Sequence, residues 1–215
     1  MVVGVAGSSA ASSSAACSQA QPFIAGTPSQ SLLSILGVLR RPATSSDALP
    51  ESIKTILTAS FKSFGVEVFA DYIRRAGVVA GTPYYVMPVL ASGCGALRGG
   101  GSQTMMLWGG GGGSGAGDAA EIEQGTALDG GSSSFGQSTA NGLVPDGVTT
   151  VTLSYPAGKI GAFDHKQAPV FTTTKTIVSN LLVATIPRGG SRLLAPMTMT
   201  WRAANGKIIK TFNKL

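Results

Sequence analysis

Chemistry needs nucleophiles, acids and bases held at workable spacing, and in this 215-residue chain they are scarce. The single histidine, His165, follows Asp164 in a Gly- and Ala-containing stretch between strand-like segments. A hydrolytic triad needs such a base beside an activated nucleophile, and no Gly-x-Ser-x-Gly elbow accompanies it. His165 therefore reads as a loop histidine. The ten acidic residues are spread thinly, so no carboxylate pair for glycoside cleavage is marked. Asp146 is the best positioned of them, within Pro145-Asp146-Gly147. That triplet combines a fixed φ, a side chain able to bond its own backbone and a residue free to take positive φ, so all three read as turn residues. No catalytic residue is assigned, and the chain reads as a non-enzyme.

Cys17 and Cys94 have no metal-like spacing, and with one histidine they do not make a zinc site. In an exported protein a Cys17–Cys94 disulfide would close a long loop, worth about 4 kcal/mol in the chain-entropy picture. The order Met105-Met-Leu-Trp108, a glycine run, then Asp118-Ala-Ala-Glu121 imitates strand, phosphate loop and helix. A run of five glycines meets any dinucleotide pattern trivially, and no βαβ unit surrounds it. No cofactor and no metal are expected.

Charge separates the chain into two parts. Up to Asp146, seven Lys and Arg stand against nine Asp and Glu, a balance of −2. From Gly147 onward nine basic residues face Asp164 alone, a balance of +8. Lys159, Lys166, Lys175, Arg188, Arg192, Arg202, Lys207 and Lys210, with Lys214 at the end, form a candidate anion-binding set. A field of that sign attracts anionic wall polymer, lipid headgroups or nucleic acid. The plainer reading is a β-module whose lysines discourage strand-to-strand association. Nucleic acid is disfavoured, because Tyr155, Trp201 and Phe212 fall in core phase rather than among exposed cations.

The elements that position these residues can be read in order. No charge precedes Arg40, and Met1-Val-Val-Gly-Val-Ala followed by a Ser/Ala run ending at Cys17 resembles a signal peptide without its basic start. Residues 1–26 are expected to be a remnant signal segment or a disordered tail. A helix is predicted from a Thr27 cap through Leu32, Ile35, Leu36 and Leu39, stopped by Pro42. A second starts at Pro50, carries Ile53, Ile56, Leu57, Phe61 and Phe64 on one stripe, and ends at Gly65. Phe69–Val79 and Pro83–Leu90 form a hairpin, with Tyr84 and Tyr85 on opposite faces and one of them near solvent. Twelve glycines between Gly93 and Gly117 predict a flexible segment. Asp118 and Glu121 form a capping box for a short helix ending at Gly125. Thr150–Tyr155 alternates cleanly as a half-buried strand, followed by Ala168–Val178 and Leu181–Ile186 as strand candidates with Ser179-Asn180 a bulge or turn between them. In the final hairpin a four-residue loop pairing Trp201 with Ile208 is preferred, since it gathers large apolar groups on one face. A two-residue loop would pair Trp201 with Lys210 instead. No segment has the length to cross a bilayer as a helix.

Leu39-Arg-Arg-Pro-Ala-Thr44, Asp47-Ala-Leu-Pro50, Tyr84-Tyr-Val-Met-Pro88, Gly142-Leu-Val-Pro-Asp-Gly-Val148 and Trp201-Arg-Ala-Ala-Asn-Gly-Lys-Ile-Ile-Lys210 together resemble a group of uncharacterised exported proteins of actinobacteria, the high-GC Gram-positive bacteria. The resemblance covers about residues 30–215, least in the Gly-rich middle. It implies export and a β-rich C-terminal part and brings no catalytic residues.

The fold class expected is α+β: two N-terminal helices, a β-hairpin, a Gly-rich flexible insertion and a small antiparallel β-sandwich-like C-terminal part. The expected divisions are 27–98, a linker over 99–117, and 118–215. The expected function is that of a secreted or cell-envelope protein with a structural or interaction module. The alternative is a binder of anionic polymer through the basic C-terminal part.

Overall fold

The computed structural model describes residues 22–91, 102–109, 111–132, 137–159, 167–187 and 197–214. They form a mixed α+β structure, mostly β, with four α-helices, three of them of six residues or fewer, and strands paired almost entirely antiparallel. Cys17, Cys94, His165, Lys166, Arg188 and Arg192 lie outside the described residues.

A six-stranded sheet takes the order β1 (Phe23–Ile24), β2 (Val66–Phe69), β4 (Thr82–Ala91), β5 (Gln103–Gly109), β6 (Gly112–Gly115), with β3 (Arg74–Val79) also paired to β4. Helix α3 (Glu51–Phe64) covers one face, packing Leu57 and Phe61 against Val66, Val68, Met87 and Val89. The opposite face carries Tyr84, Val86, Met105 and Leu107 beneath α1 (Gln30–Ile35), α2 (Gly37–Arg40) and α4 (Ala119–Gln124). A strand covered on both faces reads as an unbroken apolar run rather than an alternation. That is why Tyr84 and Tyr85 are both buried, at 7% and 4% exposure, and neither faces solvent as expected. Pro88 falls between the β4 residues paired with β3 and those paired with β2, at an interruption of the ladder where a proline is tolerated.

Several local expectations hold and several shift. α4 has the Asp118–Glu121 capping box and ends at Gly125 as read. α3 runs to Gly65, although Ile56 and Phe64 of its expected stripe are about half exposed. The first helix is capped by Ser29, not Thr27, and is broken at Leu36 into two short pieces. The first hairpin strand begins at Arg74, because Ala70–Tyr72 is a 3-10 turn.

The largest change is in the Gly-rich stretch. Residues 103–109 and 112–115, expected to be linker, are strands β5 and β6. Met105 and Leu107 are buried on one face, while Met106 and Trp108 pack toward α3 on the other. Gly109 serves the packing directly, since a Cβ there would stand 2.2 Å from the Tyr84 ring.

The C-terminal part is sandwich-like. A four-stranded sheet, β12 (Phe171–Thr176), β9 (Thr150–Tyr155), β14 (Met197–Arg202), β15 (Ile208–Lys214), faces a three-stranded sheet, β13 (Leu181–Pro187), β8 (Gln137–Leu143), β7 (Leu128–Ser132). β10 (Gly158–Lys159) and β11 (Gln167–Ala168) make a separate short pair. Between the sheets lie Val151, Leu153, Tyr155, Leu182, Ile186, Met199 and Trp201. Ser179 and Asn180, with φ of 52° and 63°, form the expected turn and carry the chain from one sheet to the other.

The final hairpin departs from the expected pairing of Trp201 with Ile208: Trp201 opposes Lys210 and Met199 opposes Phe212, with an irregularity between Trp201 and Arg202. Apolar contact survives because Phe212 meets Trp201 edge-on from the neighbouring position, with centroids 4.6 Å apart. Lys210 lies 4.9 Å above the Phe212 ring and donates to the Glu123 carbonyl at 3.2 Å, which places its cationic end usefully.

Leu107→Ala is expected to cost about 2–4 kcal/mol in urea unfolding, the range for a buried leucine. A linker leucine would cost under about 0.5 kcal/mol, as surface substitutions do. The unfolding midpoint therefore distinguishes strand from linker.

Candidate functional site

Asp146 does more than make its turn. Its carboxylate accepts from the Gly37 amide at 2.8 Å and from Asn180 Nδ2 at 2.9 Å, and it forms an ion pair with Arg40. Its own amide donates to the Ile35 carbonyl at 2.8 Å. Asn180 completes the junction, accepting from the Val38 amide at 2.9 Å and donating to the Val144 carbonyl at 3.0 Å. The break between α1 and α2 exposes the Gly37 and Val38 amides for these bonds. A Cβ on Gly37 would stand 2.9 Å from Asp146 Oδ1, so the approach needs glycine. Burial alone would raise the Asp146 carboxyl. The Asn180, Arg40 and Gly37 donors outweigh it and hold the group below the ordinary carboxylate range.

A second polar cluster surrounds Asp47, which is 4% exposed. Its carboxylate accepts from both terminal nitrogens of Arg41 at 2.7 and 2.5 Å, and from the Thr44 and Arg75 amides at 2.7 Å each. The Arg41 bond is the main reason Asp47 titrates far below an ordinary carboxyl. Arg74 is buried and Arg75 only half-buried, on opposite sides of β3, so the two do not form a clamp.

Among the described residues, the late basic side chains do not gather. Lys175 and Lys210 share the inner phase of the four-stranded sheet but sit on its opposite edge strands. Three interstrand spacings separate those strands, about 14 Å. Arg202 points in the other phase and donates to the Gly206 carbonyl at 3.1 Å, while Lys207 is exposed at the turn. Lys159 lies in the separate β10–β11 pair.

What the sheet does assemble is hydroxyl. On its outer phase, Thr172, Ser154, Thr198 and Asn213 line up in one row across four strands. Thr174, Thr152, Thr200 and Thr211 make the next, and a third row runs through Thr176, Thr150, Arg202 and the half-exposed Ile208. Thr152 and Thr174 hydroxyls are 2.9 Å apart, and Ser154 and Thr172 hydroxyls 3.0 Å. Arg202 is the one charged side chain in these rows. The Thr-x-Thr alternation was visible in Thr150–Ser154 and Thr172–Thr176, but only the sheet order brings the rows together.

Among the described residues no three of His, Cys, Asp and Glu cluster as a metal set, and no helix is long and apolar enough to cross a membrane. No protein family matches the sequence, no curated protein matches it, and no solved structure matches the fold.

Asp146→Ala is expected to destabilise the protein by about 1 kcal/mol. This is the low end for orphaned donors, because the side chain is 38% exposed. Asp47 and Asp146 both have depressed folded-state values, so their stabilisation is complete above the unfolded aspartate range near pH 4 and is lost as pH falls through the folded values. Urea midpoints measured from pH 6 downward should fall below about pH 4. Asp47→Asn and Asp146→Asn should each flatten that fall.

Proposed function

We propose that this chain is a non-enzymatic exported protein of the cell envelope or extracellular space, whose β-rich C-terminal part is a structural and interaction module. The observation that carries the reading is the hydroxyl face of the β12-β9-β14-β15 sheet, two full rows with the two threonines of a third and a single charge. Such a face is matched to an uncharged hydrogen-bonding surface, since neither partner must give up the hydration of an ion. Export rests on the Ser/Ala-rich start and on the resemblance to exported actinobacterial proteins. The alternative, capture of anionic polymer by the basic C-terminal part, is weakened by the distribution of Lys175, Arg202, Lys207 and Lys210 over different faces and edges.

Two measurements test this. Antibody detection in fractionated native cells should find the protein in medium or envelope, and confinement to the cytoplasm overturns export. Purified protein should be retained on insoluble envelope material in moderate salt, and a Thr152→Glu/Thr200→Glu double variant should lose that retention at least tenfold. Retention abolished by moderate salt in the parent protein would transfer the reading to anionic polymer. Unchanged retention in the double variant removes the hydroxyl face from it.

A further inference from the structure

Arg74 is 5% exposed, yet no carboxylate pairs with it among the described residues. Its Nε donates to the Arg41 carbonyl at 3.2 Å, and its Nη1 to the carbonyls of Asp71 and Ile73 at 2.8 Å each. These bonds explain two of its nitrogens as a brace for the bend before β3. Nη2 has no hydrogen-bond partner among the described residues and keeps an edge accessible to solvent.

Arg74 stands in the wall of two grooves. One, of about 730 Å³, it shares with Arg40, Arg41 and Tyr72, whose ring centre lies 5.8 Å from the Arg74 guanidinium carbon. The other, of about 560 Å³, runs between the 43–54 segment and the 70–74 bend. The volume is within the range of small-molecule sites. Phe23, Leu49 and Ile73 supply an apolar wall. Asp47, the nearest buried acid, gives its hydrogen bonds to Arg41, Thr44 and Arg75 and acts on Arg74 through its field alone. Lys54 adds a second cation, while the exposed carboxylates of Glu51 and Asp71 also line the groove. Those two acids repel a dianion more than a monoanion, which favours a carboxylate over a phosphate.

The geometry points to a binding site for a small amphiphilic carboxylate. One carboxylate oxygen accepts from Arg74 Nη2, and the aliphatic tail lies against Phe23, Leu49 and Ile73. Arginine suits the role because its planar fork keeps donors in fixed directions while others are engaged.

Sodium octanoate is the probe, titrated into the ¹⁵N-labelled full chain by NMR with calorimetry alongside. Saturable binding is expected, with shifts at the Arg74 Nε–H and at the Phe23 and Ile73 amides. Octanol and octyl phosphate should each bind at least tenfold more weakly. Ala43→Trp, which narrows the groove from an exposed position and leaves Arg74 in place, should weaken octanoate at least tenfold. Arg74→Gln should do the same if it folds. Octanol binding as tightly as octanoate, shifts confined to other regions, or full affinity in Ala43→Trp would each overturn the assignment.

Discussion

The carboxylate of Asp146 is the constraint on which the arrangement of the two halves depends. One side chain receives donors from α2, from Arg40 and from the Ser179–Asn180 turn, elements separated by more than a hundred residues. Hydrogen bonds to an ionised acceptor are the stronger kind, and their value here is mainly directional. The apolar surfaces supply most of the driving force and would tolerate a range of orientations. The polar junction selects one. It also explains the break in the first helix, since a continuous helix would have spent the Gly37 and Val38 amides internally.

The core beneath this junction is shared rather than divided. Leu32, Leu36 and Leu39 pack with Tyr84, Val86, Met105 and Leu107, and also with Leu143 and Leu181 from the C-terminal strands. The charge boundary near Gly147 therefore does not coincide with a boundary in packing. The second core, around Leu153, Tyr155 and Trp201, belongs to the sandwich-like part. Leu181 joins the first core and Leu182 the second, so one dipeptide borders both.

Local physics was legible in the sequence. The Asp118–Glu121 capping box, the alternation from Thr150 to Tyr155 and the Ser179-Asn180 turn each depend on residues within one or two turns of each other, and each is present as read. What failed depends on distant partners. Tyr84 and Tyr85 are both buried because helices cover both sheet faces; the unbroken apolar run from Tyr84 to Ala91 is the local mark of such a strand, but what covers each face is not local. The β5 and β6 strands were hidden by their glycines, although Met105 and Leu107 carried the alternation that marks them. The last hairpin takes the Lys210 register, in which the lysine reaches a carbonyl on α4 and Phe212 meets Trp201 edge-on, contacts that exist only after assembly. The hydroxyl face was half legible: its threonines were visible, its rows required the strand order. The Arg74 groove was not legible at all, since only burial distinguishes Arg74 from Arg75.

The reach of the Asp146 junction has a consequence for how the chain is made. Gly37 must wait 109 residues for its acceptor, and Val38 142 residues for Asn180. Contacts of such separation form late, because loop closure must precede any gain from them. During synthesis, Leu32, Leu36 and Leu39 emerge long before Leu143 and Leu181 exist to cover them. The helices made first therefore cannot complete their packing until the turn at residue 180 has been synthesised.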